Sequence, residues 1–457
     1  MSTSTSTSDL RHARGYGRRG YTAMPAIEGG HGERLLAGWL ATGRPADLGE
    51  HLARYGRAPV LGRTGGPDRM IDEVERAGLT GRGGAGFRTA VKLRAVAGHR
   101  RTERVVVANG MESEPASAKD KALLQLAPHL VLDGLMLAAE AVGATEAHLC
   151  VARTDDRLDR VMRALVEERR RNGLDAVDVR VHTPPHRYVS SEASALVNWL
   201  GGGEAKPTTT PPRTAERGVR GLPTLVDNVE TLAHLALIAR FGADWFRTRG
   251  TARAPGTSLV TLGGGAERPG VYEVAYGAPM SEVLALGGVP RDAQAVLVGG
   301  YFGTWVPLST ATTLRYSPEG LAAAGATPGA GVLAALPAGA CGLAQTAYVL
   351  GFLAAHSARQ CGPCRFGLPA TAEDFGRLAF GGLDRAGGDR LERNIMLLRG
   401  RGACKHPDGA SALAASALRA FSAEAHRHLV AGPCAAALNG GPLLPTHAEP
   451  VAEGAWR

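Results

Sequence analysis

The sequence contains few aromatic residues, few cysteines and no long uninterrupted hydrophobic run. Aromatic residues make up 5% of 457 residues, and six cysteines in a chain of this length do not suggest the disulfide framework of a small secreted domain. The most apolar stretch, residues 329–355, is interrupted by glycines and a proline. A transmembrane helix needs about 20 consecutive apolar residues. We therefore predict a cytoplasmic protein that does not itself span a membrane.

Clustered positive charge of the kind that binds nucleic acid is also missing, although the formal net charge is +9. The basic residues are scattered, and the densest run, residues 168–171, has no aromatic side chains among it. We predict no nucleic-acid partner and attribute the charge to solubility and to attraction of acidic cofactors or an acidic carrier protein. Acidic residues are scarce in residues 1–30, which favours a disordered basic tail, with a transit peptide as the alternative.

What the sequence does contain is an alternation of strand-like and helix-like segments. The short β-branched run 104–108 precedes a helical stretch at 129–142, and similar pairs follow. This order favours a parallel sheet covered by helices on both faces. Residues 257–306 change to short strand candidates, at 258–262, 270–274 and 295–298, around one short helix. An Ala- and Leu-rich helical pattern begins at Leu343, so the predicted class is α/β plus α.

A glycine-dense segment, Gly81-Arg-Gly-Gly-Ala-Gly-Phe87, precedes a predicted helix, and we call it the glycine loop. Lys92 follows within that helix. Glycines let the backbone approach a ligand closely, and amides at a helix start can hold phosphate. A structural turn and a solvated lysine would explain the same residues, so this segment alone does not assign a phosphate site.

Three polar segments follow in places where a strand ends or a helix starts. Asn109–Pro115 comes directly after the buried strand, Tyr188–Asn198 places a carboxylate past another strand, and Pro223–Thr231 offers amides at a helix start. Polar groups at the carboxyl end of a parallel strand lie where α/β sheets bind ligands. Glu112 and Glu114 are suited to accept hydrogen bonds from ribityl or ribose hydroxyls. The alternative for each segment is simple helix capping.

The pair Cys361-Gly-Pro-Cys364, with Cys404 farther along, indicates metal or redox chemistry. Such a set can ligate an iron–sulfur cluster through its thiolates. Zinc is the alternative, and it would need His356 or His406 as a fourth ligand. The remaining cysteines lack motif context and are expected to be small buried side chains: Cys150, Cys341 and Cys434.

All five segments resemble, in the same order, those of the flavin-binding subunit of respiratory complex I and of related hydrogenase and formate dehydrogenase diaphorase subunits. The glycine loop matches the family's Gly-Arg-Gly-Gly-Ala-Gly-Phe without change, and Asn109–Pro115 resembles Asn-Ala-Asp-Glu-Ser-Glu-Pro. Tyr188–Ser194 resembles Tyr-Ile-Cys-Gly-Glu-Glu-Thr, and Thr224–Leu232 resembles the Val-Asn-Asn-Val-Glu-Thr-Leu segment. Cys361–Arg365 resembles the end of Ser-Cys-Gly-x-Cys-x-Pro-Cys-Arg.

This resemblance implies an enzyme that oxidises NADH with FMN and an iron–sulfur cluster. NADH delivers two electrons as hydride, FMN can hold one or two, and the cluster removes them singly. The implied acceptor is a ferredoxin-like or other iron–sulfur carrier protein, either free or within a membrane redox complex. The implied organisation is a basic tail at 1–30, a Rossmann-like FMN and NADH domain at 31–250, a ubiquitin-like β-grasp (soluble-ligand-binding, SLBB) domain at 251–335, a helical iron–sulfur domain at 336–435 and a C-terminal tail at 436–457.

The family pattern also assigns the sites residue by residue. The implied cofactor-binding residues are Gly81, Arg82, Gly83, Gly84, Gly86, Phe87, Lys92, Asn109, Glu112, Glu114, Tyr188, Glu192, Asp227 and Asn228. Of these, Phe87, Glu114 and Glu192 would meet NADH. No side chain is assigned as a catalytic acid or base, because FMN would mediate hydride transfer with Glu192 nearby.

Three positions depart from the family pattern. Met111 replaces an aspartate that would bind the ribityl chain, and Ala193 replaces the second carboxylate near the nicotinamide. Ala358 stands where the first cluster cysteine should fall. These departures keep two other interpretations open: an electron-transfer scaffold that has lost NADH oxidation, and a zinc-stabilised binding protein.

The cluster motif thus retains three of its four ligands: Cys361, Cys364 and Cys404. His356 lies two residues before Ala358 and is the candidate fourth ligand. The sequence therefore predicts either a [4Fe–4S] cluster completed by His356 or water, or a [3Fe–4S] cluster.

Overall fold

The computed structural model of the protein describes residues 22–23, 34–62, 66–446 and 454–457. Its strands are β1 (Thr22–Ala23), β2 (Val105–Gly110), β3 (Glu146–Val151), β4 (Val179–His182), β5 (Thr224–Asn228), β6 (Thr257–Gly264), β7 (Gly270–Ala275), β8 (Ala278–Pro279), β9 (Ala295–Val298), β10 (Thr304–Pro307), β11 (Arg315–Tyr316) and β12 (Val332–Leu336). Its α-helices are α1 (Ala37–Thr42), α2 (Leu48–Tyr55), α3 (Gly66–Ala77), α4 (Thr89–Ala97), α5 (Lys119–Leu126), α6 (Pro128–Val142), α7 (Asp156–Arg171), α8 (Ala193–Leu200), α9 (Val229–Arg247), α10 (Met280–Leu286), α11 (Leu308–Ala311), α12 (Pro318–Leu321), α13 (Gly342–Ala355), α14 (Leu368–Phe380), α15 (Arg385–Leu398), α16 (His406–Ala420), α17 (Ser422–Ala431) and α18 (Ala435–Asn439).

A four-stranded parallel sheet in the order β4-β3-β2-β5 organises the first half of the chain. The central strand β2 is buried on both faces, which explains its continuous apolar run. Val106 and Ala108 join the apolar cluster of α6 and α9 on one face, and Val105 and Val107 join the cluster of α8 on the other. The predicted parallel α/β sheet is confirmed. The sequence pattern does not predict β5, because its short Thr-Leu-Val-Asp-Asn segment is typical of a helix start.

A second, mixed sheet has the order β1-β7-β6-β12-β9-β10. Strands β6 and β7 are antiparallel, β6 and β12 are parallel, and β9 is antiparallel to both β12 and β10. Helix α10 packs on this sheet through Met280, Val283 and Leu284. This strand order with one covering helix is the β-grasp arrangement, so the predicted β-grasp module is confirmed.

Helices α13 to α18 form the last part of the described chain around an apolar core that includes Leu350, Phe375 and Leu413. The indole nitrogen of Trp305 in β10 donates to Thr346 Oγ1 in α13 at 2.9 Å, which joins the mixed sheet to the helices. The predicted α/β plus helical class is therefore confirmed.

The C-terminal residues, predicted as a tail, are folded where the structure describes them. Leu444 and Trp456 are buried because both join the apolar core of the helical part. Tyr301 Oη donates to the Pro445 carbonyl oxygen at 2.6 Å, and Ala205 N donates to the Trp456 carbonyl oxygen at 2.7 Å. This corrects the prediction of a tail at 436–457.

Near the N-terminus, residues 34–55 form two helices, α1 and α2. Gly43 ends α1 in the left-handed conformation, at φ 66°, and Asp47 starts α2 in a capping box with Glu50. The basic tail predicted at 1–30 lies outside the described residues, except for β1, which pairs with β7. Within the described ranges no single helix is long and apolar enough to cross a membrane, and α5 and α6 reach that length only as a pair bent by 97°.

Candidate active site

The carboxyl ends of β2 and β5 lie side by side, with Asn109 paired to Asn228 in register. The glycine loop covers this edge. A Cβ added at Gly83 would lie 3.3 Å from the Cβ of Asn228, and one at Gly84 would lie 3.6 Å from the Gly329 carbonyl oxygen of the β-grasp module. Gly84 has a φ of 104°, which favours glycine. The loop is thus an exposed main-chain cradle before α4, where anionic groups bind.

Arg82 does not offer its side chain to this cradle. Its guanidinium donates to Thr80 Oγ1 at 2.8 Å and to the Pro255 carbonyl oxygen at 3.3 Å, and it lies 4.6 Å from the ring centre of Tyr276. Its main-chain N–H donates to Thr231 Oγ1 at 2.9 Å. The prediction that Arg82 binds cofactor is therefore wrong for these donors, because burial commits them to holding the loop against the β-grasp module.

Lys92 and Asp227 form an ion pair at the end of β5. Lys92 Nζ donates to Asp227 Oδ1 at 2.8 Å and to the Val226 carbonyl oxygen at 3.0 Å. The Lys92 side chain remains 32% exposed, and the buried Asp227 Oδ2 has no hydrogen-bond partner among the described residues. The ammonium group is thus oriented by Asp227 and remains accessible to an anionic ligand. An unpartnered buried oxygen beside it is an available acceptor for a ligand N–H or O–H.

A buried lysine that sequence reasoning missed organises the floor of the cleft. Lys119 Nζ contacts Asp120 Oδ1 at 2.6 Å, Glu230 Oε2 at 2.9 Å and Asn228 Oδ1 at 3.3 Å. Burial would lower the pKa of Lys119, but Asp120 and Glu230 raise it above its ordinary value. Asn228 Nδ2 also donates to Asp120 Oδ2 at 2.6 Å. This network fixes Asn228, and the charged pair shortly after the Glu-Ser-Glu-Pro segment is its one signal in the sequence.

Asn109 and Glu112 follow the buried part of β2 with different commitments. Asn109 Nδ2 donates to the Ser191 carbonyl oxygen at 2.8 Å, which links β2 to the turn before α8. The Glu112 carboxylate accepts from Asp120 N and Lys121 N, both at 3.1 Å. Burial, followed by the charge of Asp120, raises the pKa of Glu112. Glu112 therefore acts as a helix cap for α5, which is the alternative interpretation from the sequence.

Glu114 lies where three parts of the chain meet. Its Oε2 accepts from Tyr188 Oη and from Tyr301 N, each at 2.9 Å. The Tyr188 ring contacts Tyr301 of the β-grasp module in a stacked arrangement and Phe352 of the helical part edge to face. Burial raises the pKa of Glu114 to about 7. Predicted cofactor ligands Glu114 and Tyr188 are thus joined directly, in a buried position beside the cleft.

The Glu114→Gln variant should remove a pH-dependent loss of stability. The ordinary pKa is 4.5 and the folded value about 7, so between these values the unfolded chain releases a proton that the folded chain keeps. The wild-type free energy of unfolding should therefore fall by about 3 kcal/mol as pH rises from 4.5 to 7. Glutamine keeps an acceptor for both donors, so the variant should exceed wild type in thermal midpoint at about pH 8 but not at about pH 4.5.

The matched control for this experiment is Glu282→Gln, because Glu282 is exposed. Thermal midpoints of both variants, measured across the pH range, give the result. Parallel curves for wild type and Glu114→Gln would contradict the raised pKa.

Glu192 caps helix α8 and does not directly follow a strand as predicted. Strand β4 ends at His182, and a short 3-10 turn, Tyr188–Ser191, comes before it. Glu192 is exposed, and its Oε2 accepts from Ser194 N at 2.9 Å and Ala195 N at 3.2 Å. Phe87, in the glycine loop, is 40% exposed. Both predicted nucleotide contacts are accessible to a ligand.

The three motif cysteines are brought together in the helical part. Cys361 and Cys364 lie at the π-helical turn before α14, and Cys404 lies in the loop before α16. Burial raises the pKa of Cys364 to about 12, and the neighbouring Cys361 and Cys404 add to this. Burial also raises the pKa of Cys404, and the charge of Glu192 contributes. Three adjacent thiols fit a metal cluster, whose positive charge would favour the thiolates.

His356 is engaged with residues outside the cluster motif. Its Nδ1 accepts from Tyr188 N at 3.4 Å, and its ring stacks on Phe352 at 4.0 Å. Burial, followed by the charges of Arg187, His186 and His406, lowers its pKa to about 4. The structure therefore does not support His356 as a fourth cluster ligand, because its ring is held in the aromatic packing around Tyr188.

His406, the other histidine that a zinc site would need, is also committed. Its Nε2 donates to the Leu353 carbonyl oxygen at 2.8 Å. Burial lowers its pKa to about 4. The zinc alternative for Cys361, Cys364 and Cys404 thus finds no matching histidine at these two positions.

The departures Met111 and Ala193 meet in one apolar cluster beneath the cleft. Met111 is 3% exposed and joins Leu196 and Val197 of α8, and half-buried Ala193 packs against the same cluster. Two positions at which the resembling family has carboxylates are therefore occupied here by apolar side chains of one cluster. Sequence reasoning found each substitution but not that they are neighbours.

Comparison with known proteins identifies the family. A model of the Nuo51 FMN-binding domain matches residues 74–237, and a model of the NADH-ubiquinone oxidoreductase-F iron-sulfur binding region matches residues 341–428. The second F-type subunit of the NADH-quinone oxidoreductase of Rhizobium meliloti (strain 1021) is 30% identical over 376 residues, which covers 79% of this chain and 89% of the relative. The chain belongs to the family of F-type subunits of NADH-quinone oxidoreductase.

Other relatives extend this result. The F-type subunit of Streptomyces coelicolor is 30% identical over 90% of this chain and 96% of its own length. The NAD-reducing hydrogenase HoxS subunit alpha of Cupriavidus necator is 35% identical over 57% of this chain and 45% of its own length. A crystal structure of NAD+-reducing [NiFe]-hydrogenase in the H2-reduced state has a TM-score of 0.76 and 30% identity, and the match covers 89% of this chain and 67% of that one.

This family assignment agrees with the geometry. The chain is an NADH-oxidising oxidoreductase with an FMN-binding domain and an iron–sulfur region. The main-chain cradle, the accessible Lys92 and the three adjacent thiols fit these cofactors.

Proposed function

We propose that this chain oxidises NADH in the cleft between the glycine loop and the turn before α8, and passes the electrons through a cluster held by Cys361, Cys364 and Cys404. The observation that carries this proposal is the proximity of the two halves of the site. Glu192 borders the nucleotide side of the cleft, and its charge adds to burial in raising the pKa of the cluster ligand Cys404. Electron transfer between the two groups is therefore a short step.

The residues that would hold FMN are the main chain of the glycine loop, Lys92, Asn109 and Asn228. Bound FMN would supply the conversion between two-electron and one-electron chemistry. Lys92 would neutralise phosphate charge, and the Lys119 network holds the Asn228 amide in place. Phe87 and Glu192 would contact NADH, and Glu114 would support that side through Tyr188. None of these side chains has to transfer a proton.

The cluster would have three thiolate ligands from this chain. Cys404 accepts a hydrogen bond from the His406 main-chain N–H at the start of α16, which favours its thiolate. Because His356 is engaged with Tyr188, we propose that the corner beside Ala358 has no side-chain ligand from this motif. Such an iron is labile, so both a [3Fe–4S] and a water-completed [4Fe–4S] form are expected.

The electron acceptor is proposed to be an acidic iron–sulfur protein, either a neighbouring subunit in a larger assembly or a ferredoxin-like carrier, in the cytoplasm. Large apolar side chains are exposed around the cluster loop: Phe366 is 69% exposed, Met396 64% and Leu397 50%. The basic residues exposed around them are Arg365, Arg399, Arg401 and Lys405. An apolar centre with a basic rim suits an acidic partner and steers its approach.

FMN binding tests the proposed cleft. Titration of flavin-free protein should quench FMN fluorescence saturably, with weaker affinity than family members that retain the aspartate. Losing one charged hydrogen bond costs roughly 1.5–3 kcal/mol, or about one to two decades in dissociation constant. Gly83→Val should abolish the quenching, because a side chain there pushes against Asn228. Gly339→Ala is the matched control, because nothing lies within 4 Å of the added Cβ.

Addition of NADH to the FMN-loaded, anaerobic protein then separates an enzyme from a scaffold. Bleaching of flavin absorbance followed by a reduced-cluster signal in electron paramagnetic resonance is the expected result. FMN binding without bleaching would favour the scaffold that has lost NADH oxidation. Unaltered FMN binding in Gly83→Val would contradict the proposed cleft.

A further inference from the structure

A second group of metal-ligand side chains lies in the helical part, apart from the cluster motif. Cys341, Glu424, His428 and Cys434 each offer one ligand atom, and these four atoms all lie within 4.8 Å of one another. In a tetrahedral zinc site with Zn–S bonds of about 2.3 Å, ligand atoms lie about 3.8 Å apart. The group is therefore close to the size of a single-ion site.

Four separate positions converge to make this group. Cys341 is the N-cap of α13, and Cys434 is the N-cap of α18. Glu424 and His428 stand four residues apart in α17, so they lie on the same face of that helix. Nothing in the sequence indicates this arrangement, because the two cysteines lie far apart in the chain and are expected there to be small buried side chains.

The hydrogen bonds of His428 and Cys341 are those of metal ligands. His428 Nδ1 donates to the Leu378 carbonyl oxygen at 3.1 Å, which leaves Nε2 as the nitrogen with a lone pair. Ligating histidines typically donate their other N–H to a carbonyl in this way. Cys341 Sγ accepts from Ala344 N at 3.3 Å, a bond that stabilises a thiolate. His428 Nε2 accepts from Cys434 N at 3.1 Å, a bond that an ion would replace.

The charges of the group also call for a cation. Burial raises the pKa of Cys341, and the adjacent Glu424 and Cys434 raise it further. Cys434 Sγ lies 3.7 Å from Glu424 Oε1. Two thiols and a carboxyl group in contact cannot all be ionised without a compensating positive charge. A divalent ion would supply that charge and displace the thiol protons.

We propose that Cys341, Glu424, His428 and Cys434 bind one structural zinc ion. Two sulfurs, one imidazole nitrogen and one carboxylate oxygen form a set that suits four-coordinate zinc, and thiolates disfavour magnesium and calcium. The ion would link the start of α13 to α17 and α18. Because α13 leads directly into the loop of Ala358 and Cys361, zinc would also fix the helix from which the cluster loop extends.

Metal analysis of the whole protein, purified anaerobically, tests this site independently of the flavin and the cluster. We expect one zinc per chain in addition to iron. Zinc-edge X-ray absorption should show two sulfurs at about 2.3 Å and two nitrogen or oxygen ligands at about 2.0–2.2 Å. Iron does not contribute to this signal, so the measurement needs no variant. Absence of zinc, or a shell of sulfur atoms alone, would overturn the proposal.

Variants then locate the ion. Cys434→Ser should lose zinc and keep iron, whereas Cys404→Ser should keep zinc and lose iron. Cys150→Ser is the matched control, because Cys150 is buried in β3 of the parallel sheet and should leave zinc unchanged. Zinc that persists in Cys434→Ser but disappears in Cys404→Ser would assign the ion to the cluster motif and contradict the proposed site. A Cys341–Cys434 disulfide in place of zinc would also contradict it.

Discussion

The Ala358→Cys variant should contain a complete, oxidation-resistant [4Fe–4S] cluster, whereas the wild type should yield a [3Fe–4S] form on oxidation. The wild-type motif supplies three thiolates, and His356 is held by Tyr188 rather than turned toward them. An iron without a protein ligand dissociates readily, and a fourth thiolate at position 358 would retain it. The iron content after mild oxidation should rise from about three per chain in the wild type to about four in the variant.

Electron paramagnetic resonance and iron analysis measure this change. The oxidised wild type should give a three-iron signal that disappears after addition of iron and reductant, and Ala358→Cys should lack that signal. Ala358→Ser is the matched control, because serine adds an atom of similar position but a poorer iron ligand. A full complement of four-iron clusters in oxidised wild type would mean that another group already occupies the fourth corner.

The variants Ala193→Glu and Met111→Asp should behave in opposite ways, although each restores a carboxylate of the family pattern. Ala193 is half-buried at the first position of α8, where an acidic residue is favoured by the helix dipole. Ala193→Glu should therefore fold normally and speed NADH reduction of bound flavin about tenfold or more, if one charged contact contributes about 1.4 kcal/mol. Stopped-flow bleaching measures the rate.

Met111→Asp should instead destabilise the parallel-sheet domain. Met111 is buried with Leu196 and Val197, so the shorter aspartate leaves a cavity and places a carboxylate among apolar side chains. Truncating a buried methionine alone costs about 2–5 kcal/mol. Thermal unfolding checks this result, and Met111→Leu serves as a control of similar volume. A neutral Met111→Asp variant would show that its side chain can turn into the cleft.

The comparison for Ala193→Glu is Ala193→Gln, which has nearly the same volume but no charge. Equal flavin reduction rates in wild type, Gln and Glu variants would show that a carboxylate at this position is irrelevant to hydride transfer in this chain. A rate increase confined to Glu would attribute the effect to charge.

Much of the fold could be predicted from the sequence, because it depends on local pattern. The apolar run of β2 identifies a strand buried on both faces, and the predicted strands at 258–262, 270–274 and 295–298 correspond to β6, β7 and β9. Strand β5 escaped prediction because its five residues include Asp227 and Asn228, which are rare in strands and common at helix starts. Its pairing partner β2 is distant in sequence, so tertiary contacts decide its conformation.

The candidate site could be predicted only where residue type was sufficient. The glycine loop and the three cysteines were found because backbone freedom and thiolate ligation belong to those residues themselves. Arg82 was misassigned because its contact with Pro255 is set by the packing of the β-grasp module. Lys119 was missed for the same reason, since its ion pair with Glu230 joins residues far apart in sequence. Contacts between distant segments cannot be deduced from periodicity or spacing.

The position of Glu114 has a consequence for modularity. Its carboxylate is held by Tyr188 from the parallel-sheet part and by Tyr301 from the β-grasp module, and Tyr188 also contacts the helical part through Phe352. A flavin-binding fragment cut out at its own sheet would therefore lose one donor to Glu114 and one wall of its nucleotide side. In gene fusion or exchange, these three units are inherited as one block, because the site is assembled from all of them.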